Sequence, residues 1–173
     1  MAAEAGTLRL RPLKPEDADE AQAGQRELAG DDFAFLLEWD ADQPWVEYLA
    51  LLERQRRGVD DRPGRVPATF LVAQVGSALV GRVSIRHELN DYLTNFGGHV
   101  GYGVRPAYRG RGYGTEILRQ AVIIARAQGV ERILVTCDAQ NARSAAIIAR
   151  AGGVLEDVRT DDRARPTARY WIG

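Results

Sequence analysis

The spacing of hydrophobic and polar positions changes character midway along the chain. Thr7-Leu8-Arg9-Leu10-Arg11 alternates with the two-residue period of a strand and stops at Pro12. Lys14-Pro15-Glu16-Asp17-Ala18 then opens a helix, with proline and acids in its first turn, that is predicted to run to about Leu28. A second helix is predicted over 43–57, with Trp45, Leu49 and Leu52 on one side. A loop over 58–67 leads to two apolar runs, 69–75 and 79–86, separated by Gly76-Ser77, which predicts a hairpin. The polar stretch 87–98 reads as a loop long enough to be functional.

From Val100 onward the pattern becomes strand, helix, strand, helix. Val100, Tyr102 and Val104 share one strand face, and Ile117, Leu118, Ala121, Val122 and Ala125 form a helical stripe that ends at Gly129. Ile133-Leu134-Val135 reads as a buried strand, and the helix over 142–150 is ended by Gly152-Gly153. This is a parallel βαβ unit followed by a helix. Two last strands are predicted over 154–158 and 168–172, on either side of a loop over 161–166. The fold class is therefore α/β, a mixed sheet whose antiparallel first half leads into a parallel pair.

At 173 residues and 45% hydrophobic content the chain suits a single domain spanning 1–173. No apolar run approaches the roughly 18 to 20 residues that cross a bilayer, and Met1-Ala2-Ala3-Glu4 has neither the basic nor the apolar segment of a leader. A cytoplasmic protein that does not engage a membrane is expected. One cysteine, Cys137, and two histidines argue against a disulfide framework and against a metal site.

The net charge of −1 conceals an asymmetry: residues 1–61 carry −8 and the remainder +7. A basic second half suits a polyanionic ligand, and an acidic first part favours a cationic acceptor. Nucleic acid is not expected as a partner, because the basic residues cluster without the aromatic interleaving of a base-stacking surface.

The chemistry concentrates in Val104-Arg105-Pro106-Ala107-Tyr108-Arg109-Gly110-Arg111-Gly112-Tyr113-Gly114-Thr115, an apolar strand running into an arginine-glycine turn that opens a helix. A helix start aims unpaired N–H groups at an anion, so the segment reads as a phosphate cradle. Gly110-x-Gly112-x-Gly114 lacks the G-x-G-x-x-G spacing and lies past mid-chain, unlike a dinucleotide fingerprint, and no G-K-[ST] is present. What remains matches [QR]-x-x-G-x-[GA], read as Arg109-Gly110-Arg111-Gly112-Tyr113-Gly114.

At these residues the chain resembles the GNAT superfamily of acyl-CoA-dependent N-acetyltransferases. The likeness extends over nearly the whole chain, from the opening strand Leu8-Arg9-Leu10-Arg11-Pro12-Leu13, through Val104-x-Pro106-x-Tyr108-Arg109, to Asn141 after the next strand. It implies a GNAT-like sheet flanked by helices, acetyl-CoA as cosubstrate, and direct attack of an amine on the thioester. The acceptor would be a small-molecule amine or the amine of a peptide or protein. By this resemblance Tyr102 and Val104 hold the pantetheine arm, and Gly110, Gly112, Gly114 and Thr115 hold the pyrophosphate. Arg109, Arg111 and Asn141 complete the coenzyme-binding set.

In the branch that acetylates the N-termini of ribosomal proteins the strand reads Glu-x-Gly-Tyr. Here it reads His99-Val100-Gly101-Tyr102, which puts His99 in the place of that branch's base. An imidazole near its ordinary pKa of about 6.5 can accept an ammonium proton. The family's frequent acid, a tyrosine on the helix after Asn141, is replaced by Ile148. Asn141-x-x-Ser144 instead matches the ribosomal-protein branch, which implies Ser144 as the acid. The absent tyrosine also leaves a second reading, a non-catalytic acyl-CoA-binding or sensing module.

Overall fold

The chain folds around one seven-stranded sheet. The computed structural model describes residues 7–173, so the Met1–Glu4 stretch lies outside the described residues. In chain order the elements are β1 (Arg9–Arg11), α1 (Ala18–Leu28), α2 (Trp45–Arg56), β2 (Ala68–Val75), β3 (Ala78–Arg86), β4 (Val100–Val104), α3 (Tyr113–Ala127), β5 (Ile133–Asp138), α4 (Ala142–Arg150), β6 (Val154–Thr160) and β7 (Pro166–Ile172). The strand order is β1-β2-β3-β4-β5-β7-β6. Every pairing is antiparallel except β4 with β5. No helix of the described residues is long and apolar enough to cross a membrane.

Alternation in the strands sends side chains to two cores, one on each face of the sheet. On one face α3 lays its stripe of Ile117, Leu118, Ala121, Val122 and Ala125 against Val83, Ile85, Val100, Ile133 and Val135. On the other, Ala21 and Leu28 of α1 and Tyr48 and Leu51 of α2 cover Phe70, Val72 and Leu79. Trp39 packs edge-on against both Trp45 and Tyr48 over this second core.

The loop expected over 87–98 is more ordered than its polarity suggested. Asn90 accepts the Leu93 N–H on Oδ1 (2.9 Å), starting one wide helical turn over Leu93–Gly97. That turn is tied down by three strands. Thr136 of β5 donates to Phe96 O, Arg169 of β7 to Thr94 O and Arg86 of β3 to Gly97 O.

Arg105, just past β4, explains much of the charge asymmetry. Its backbone N–H continues the sheet to Val80 O, while its buried guanidinium binds Glu27 (2.6 and 2.9 Å), Glu20 and the Leu79 carbonyl (2.8 Å). Arg109 likewise pairs with Asp31, and Arg165 lies 3.9 Å from Asp32. Acids of the first part therefore meet arginines of the second, and opposite charges hold α1 and the segment after it onto the sheet.

Arg105→Met should lower stability by about 1–3 kcal/mol, because it strips a buried carbonyl of its donor and frees two half-exposed carboxylates that water rehydrates. Chemical denaturation checks this, and an unchanged midpoint would contradict the anchoring role.

Candidate active site

β4 and β5 run side by side from their N-terminal ends but register at a single pair, Val100↔Val135. Toward their C-terminal ends they diverge, and a cleft of about 1130 Å³ opens there. Ending parallel strands at such an opening is the usual way an α/β sheet makes room for a ligand. Freed strand edges carry N–H and C=O groups that need partners, so the gap suits an extended molecule with amide groups of its own.

One end of the cleft is the start of α3. Gly110 and Gly112 adopt φ of +76° and +82°, a left-handed conformation that side chains disfavour, and a Cβ at either would meet nothing within 4 Å. These glycines are therefore required by the turn's conformation. Gly114 has a different reason: a Cβ there would come within 3.0 Å of Ile147 of α4, so its bareness lets the two helices approach. The first donor of the helix ladder at this end is the Glu116 N–H, bonded to Gly112 O. The N–H groups of Tyr113, Gly114 and Thr115 have no acceptor among the described residues, and glycine at the N-cap offers no side chain to supply one. The helix dipole adds to their pull on an anion.

Beside this helix start, polar groups gather across the gap. The Tyr102 hydroxyl of β4 lies 3.0 Å from Ser144 Oγ of α4, and Cys137 of β5 also lines the cleft. Burial raises the Tyr102 pKa above its ordinary value, against the bond from Ser144, and burial likewise raises that of Cys137. Both stay protonated at neutral pH. Tyr102 is thus a proton donor, and Cys137 a thiol rather than a nucleophilic thiolate.

Of the residues the sequence singled out, Tyr102, Val104, Arg109, Gly110, Gly112, Gly114, Thr115, Asn141 and Ser144 all line the cleft. Asn141 is also the N-cap of α4, its Oδ1 accepting the Ser144 N–H at 3.0 Å. Arg109 spans Asp31 and the Val104 carbonyl. Arg111 is exposed, not among the lining residues, and its guanidinium lies 5.8 Å from the Tyr108 ring.

His99 is not brought to the cleft. It is 7% exposed at the joint of β4 and β5, where its N–H donates to Leu134 O (2.7 Å) and its Nδ1 accepts the Leu134 N–H (2.9 Å). With Nδ1 accepting, the neutral ring carries its proton on Nε2. Burial, and then the charge of Arg86, push its pKa below the ordinary value. Ile148, where a tyrosine would have stood, is a fully buried core residue.

Sequence reasoning missed Phe33, Arg82, Arg86 and Thr136, which line the cleft on the α1 and α2 side of the sheet. The available signal was two arginines four residues apart within an apolar strand, Val80-Gly81-Arg82-Val83-Ser84-Ile85-Arg86.

Residues 7–154 match the acetyltransferase (GNAT) domain family, and the chain belongs to that family. It is an acyl-CoA-dependent acetyltransferase whose cosubstrate is acetyl-CoA. Among solved structures it is similar to Mycobacterium smegmatis RimJ in complex with CoA-disulfide, with 20% identity, a TM-score of 0.70, and 96% of this chain and 82% of that one covered. It is also similar to the ribosomal-protein-S5-alanine acetyltransferase of Vibrio fischeri, at 18% identity, TM-score 0.70, and 98% and 94% coverage. A third, the putative acetyltransferase yncA of Salmonella typhimurium with acetyl-CoA, has 19% identity, TM-score 0.62, and 95% and 92% coverage. No curated protein matches the chain in sequence. The likeness to RimJ and the S5-alanine enzyme agrees with the ribosomal-protein branch that the sequence resembles.

The depressed His99 pKa has a definite sign. Between the folded value and about 6.5 the unfolded chain binds more protons than the folded one, so stability is full above about 6.5 and declines as pH falls toward the folded value. His99→Asn supplies an acceptor for the Leu134 N–H that does not titrate. Urea denaturation at pH 7 and pH 5 should show a smaller loss of stability in the variant than in the wild type; equal losses would contradict the buried placement.

Proposed function

We propose that this acetyltransferase moves the acetyl group of acetyl-CoA onto a primary amine by direct attack on the thioester, with the Tyr102–Ser144 pair returning a proton to the departing sulfur. What carries the reading is one arrangement: unpaired N–H groups at the start of α3 and a hydroxyl pair on α4 and β4, lining one gap between two diverging strands. Acetyl-CoA supplies a thioester on a long amide-bearing arm that ends in phosphates. Those phosphates suit the N–H groups of Tyr113, Gly114 and Thr115 and the turn of Gly110 and Gly112, and the arm's amides suit the free edge of β4 at Tyr102 and Val104. Arg109 and Asn141 flank the same channel. The oxygen that gains charge during attack would take its hydrogen bond from the backbone N–H near Val104.

The Tyr102 hydroxyl, held protonated by burial, donates through or beside Ser144, whose orientation the Asn141 cap helps fix. His99 stays outside this scheme while its Nδ1 serves Leu134. The lone cysteine, free among the described residues, fits the cytoplasmic setting expected from the sequence. Glu20, Glu27 and Asp31 of the acidic first part are engaged by arginines and serve the fold.

Two measurements test this. Thr115→Asp adds an acid beside Glu116 in the first turn, where a helix tolerates it, yet sets a negative charge against the phosphates; calorimetry should show acetyl-CoA binding weakened about ten-fold or more with thermal stability retained. Tyr102→Phe and Ser144→Ala should each lower kcat by about 10²-fold or more, the double variant losing little beyond the worse single one, whereas Cys137→Ala stays near wild type. Thiol release with a panel of amines reads the second test. Binding without release would favour the sensing module, and losses that multiply would contradict a shared relay.

A further inference from the structure

Four arginines of this chain have side chains sunk into the protein at the sheet, and they divide into two kinds. Arg105 is met by Glu20 and Glu27, and Arg169 by Glu156 and Asp157. Arg82 and Arg86 have no carboxylate within 4.0 Å among the described residues, and these two line the cleft. Burying a cation without a counter-charge costs several kcal/mol, and the fold meets that cost with acids for the other two.

The two unpaired guanidiniums converge on one spot. Arg82, 3% exposed, donates Nη1 to Gly101 O (3.0 Å) and Nη2 to Ala34 O, and its Nε is buried with no partner. Arg86 donates to Gly97 O, and its Nη1 sits where a side chain at Gly101 would begin, 3.0 Å from a Cβ built there. Gly101 therefore makes room for the Arg86 guanidinium beside that of Arg82. Phe33 closes this place on the side of Gly103, where a Cβ would come within 2.4 Å of its ring, and Arg82 stacks over that ring at 4.2 Å. Asp31 and Asp32 lie on the cleft rim, the first paired with Arg109 and the second near Arg165, so neither neutralises the pair. Burial lowers the pKa of both guanidiniums, and the charge of Arg86 lowers that of Arg82 further.

This place adjoins the face of β4 opposite Tyr102 and Ser144, one residue along the strand from Tyr102. It faces away from the side of β4 on which Tyr102 meets the start of α3, so the phosphates of the cosubstrate do not reach it under the reading above. We infer that the acceptor is a small molecule bearing both a primary amine and a carboxylate, and that the carboxylate binds the Arg86 guanidinium where it lines the cleft, with the charge of Arg82 behind it. The inference rests on the acetyl-transfer reading of the same cleft. A planar carboxylate accepts two parallel bonds from a guanidinium fork, which fits Arg86, whose bond to Gly97 O leaves its other N–H groups without a partner among the described residues. The same cations disfavour an ammonium beside them, so the amine is held more readily in the neutral form that attacks. The proton that nitrogen loses after attack replaces the one the Tyr102–Ser144 pair gives to sulfur, so no strong base is needed, consistent with His99 being turned into the strand joint.

Matched probes test it: leucine, methionine and phenylalanine and two dipeptides, each as free acid and as carboxamide. Binding to the acetyl-CoA-saturated protein is read by calorimetry, and thiol release gives kcat/KM. The free acids should be preferred by about ten-fold or more, chiefly through KM. Arg86→Gln, at a half-buried position where the fold should persist, should erase that preference, the kcat/KM of the free acids falling about ten-fold further than that of the carboxamides. Acids and amides handled alike by the wild type, or an Arg86→Gln loss that falls equally on both, would overturn the anionic acceptor while acetyl-CoA binding in the same cell keeps the acetyl-transfer reading. Absence of acetyl-CoA binding would overturn both.

Discussion

The meeting of β4 and β5 at Val100↔Val135 is the constraint on which the rest of the structure depends. Two parallel strands joined along their whole length would leave no room between them and no free backbone groups. Joined at one end and parted at the other, they create a cleft inside the sheet while the sheet itself stays continuous. His99 holds the joined end, its main chain and ring both bonded to Leu134. Gly98, at φ +68°, lets the chain approach that joint, where a Cβ would come within 2.7 Å of Leu134 O. A residue whose type invites a catalytic role is here the fastener that makes the catalytic space possible.

Charge is organised around the same space. The acidic first part and basic second part form contacts that pin α1 and the segment following it beside the cleft, through Arg105 and Arg109. Where acids are absent, at Arg82 and Arg86, the protein tolerates two cations beside the cleft with no carboxylate partner among the described residues. Such an arrangement disfavours the empty state and favours a bound anion, so stability is exchanged locally for selectivity.

Most of the framework was legible in the sequence because it rests on local periodicity. The hairpin predicted over 69–75 and 79–86 is observed as Ala68–Val75 and Ala78–Arg86, and the stripe of α3 buries the residues its spacing named. The arginine-glycine turn was legible for the same reason, since left-handed glycines followed by a helix start form a purely local pattern. The insertion of β7 between β5 and β6 was not, because strand order is decided by tertiary pairing. Periodicity placed His99 at a strand end but could not say whether its ring faced the cleft or the neighbouring strand. Arg82 and Arg86 escaped notice because alternation assigns a charged strand residue to a solvated face. Only Phe33, a loop residue distant in sequence, and the turn over Leu93–Gly97 make that face an interior one.

The donor half of the chemistry thus lies in a local motif, and the acceptor half in contacts between remote segments. The measurement that tests the account most directly is a crystal structure with acetyl-CoA bound. The account predicts the sulfur within about 4 Å of the Tyr102 hydroxyl or Ser144, the arm bonded along β4 and the pyrophosphate on the N–H groups of Gly110 to Thr115. Coenzyme density elsewhere, or a thioester far from that hydroxyl pair, would contradict it.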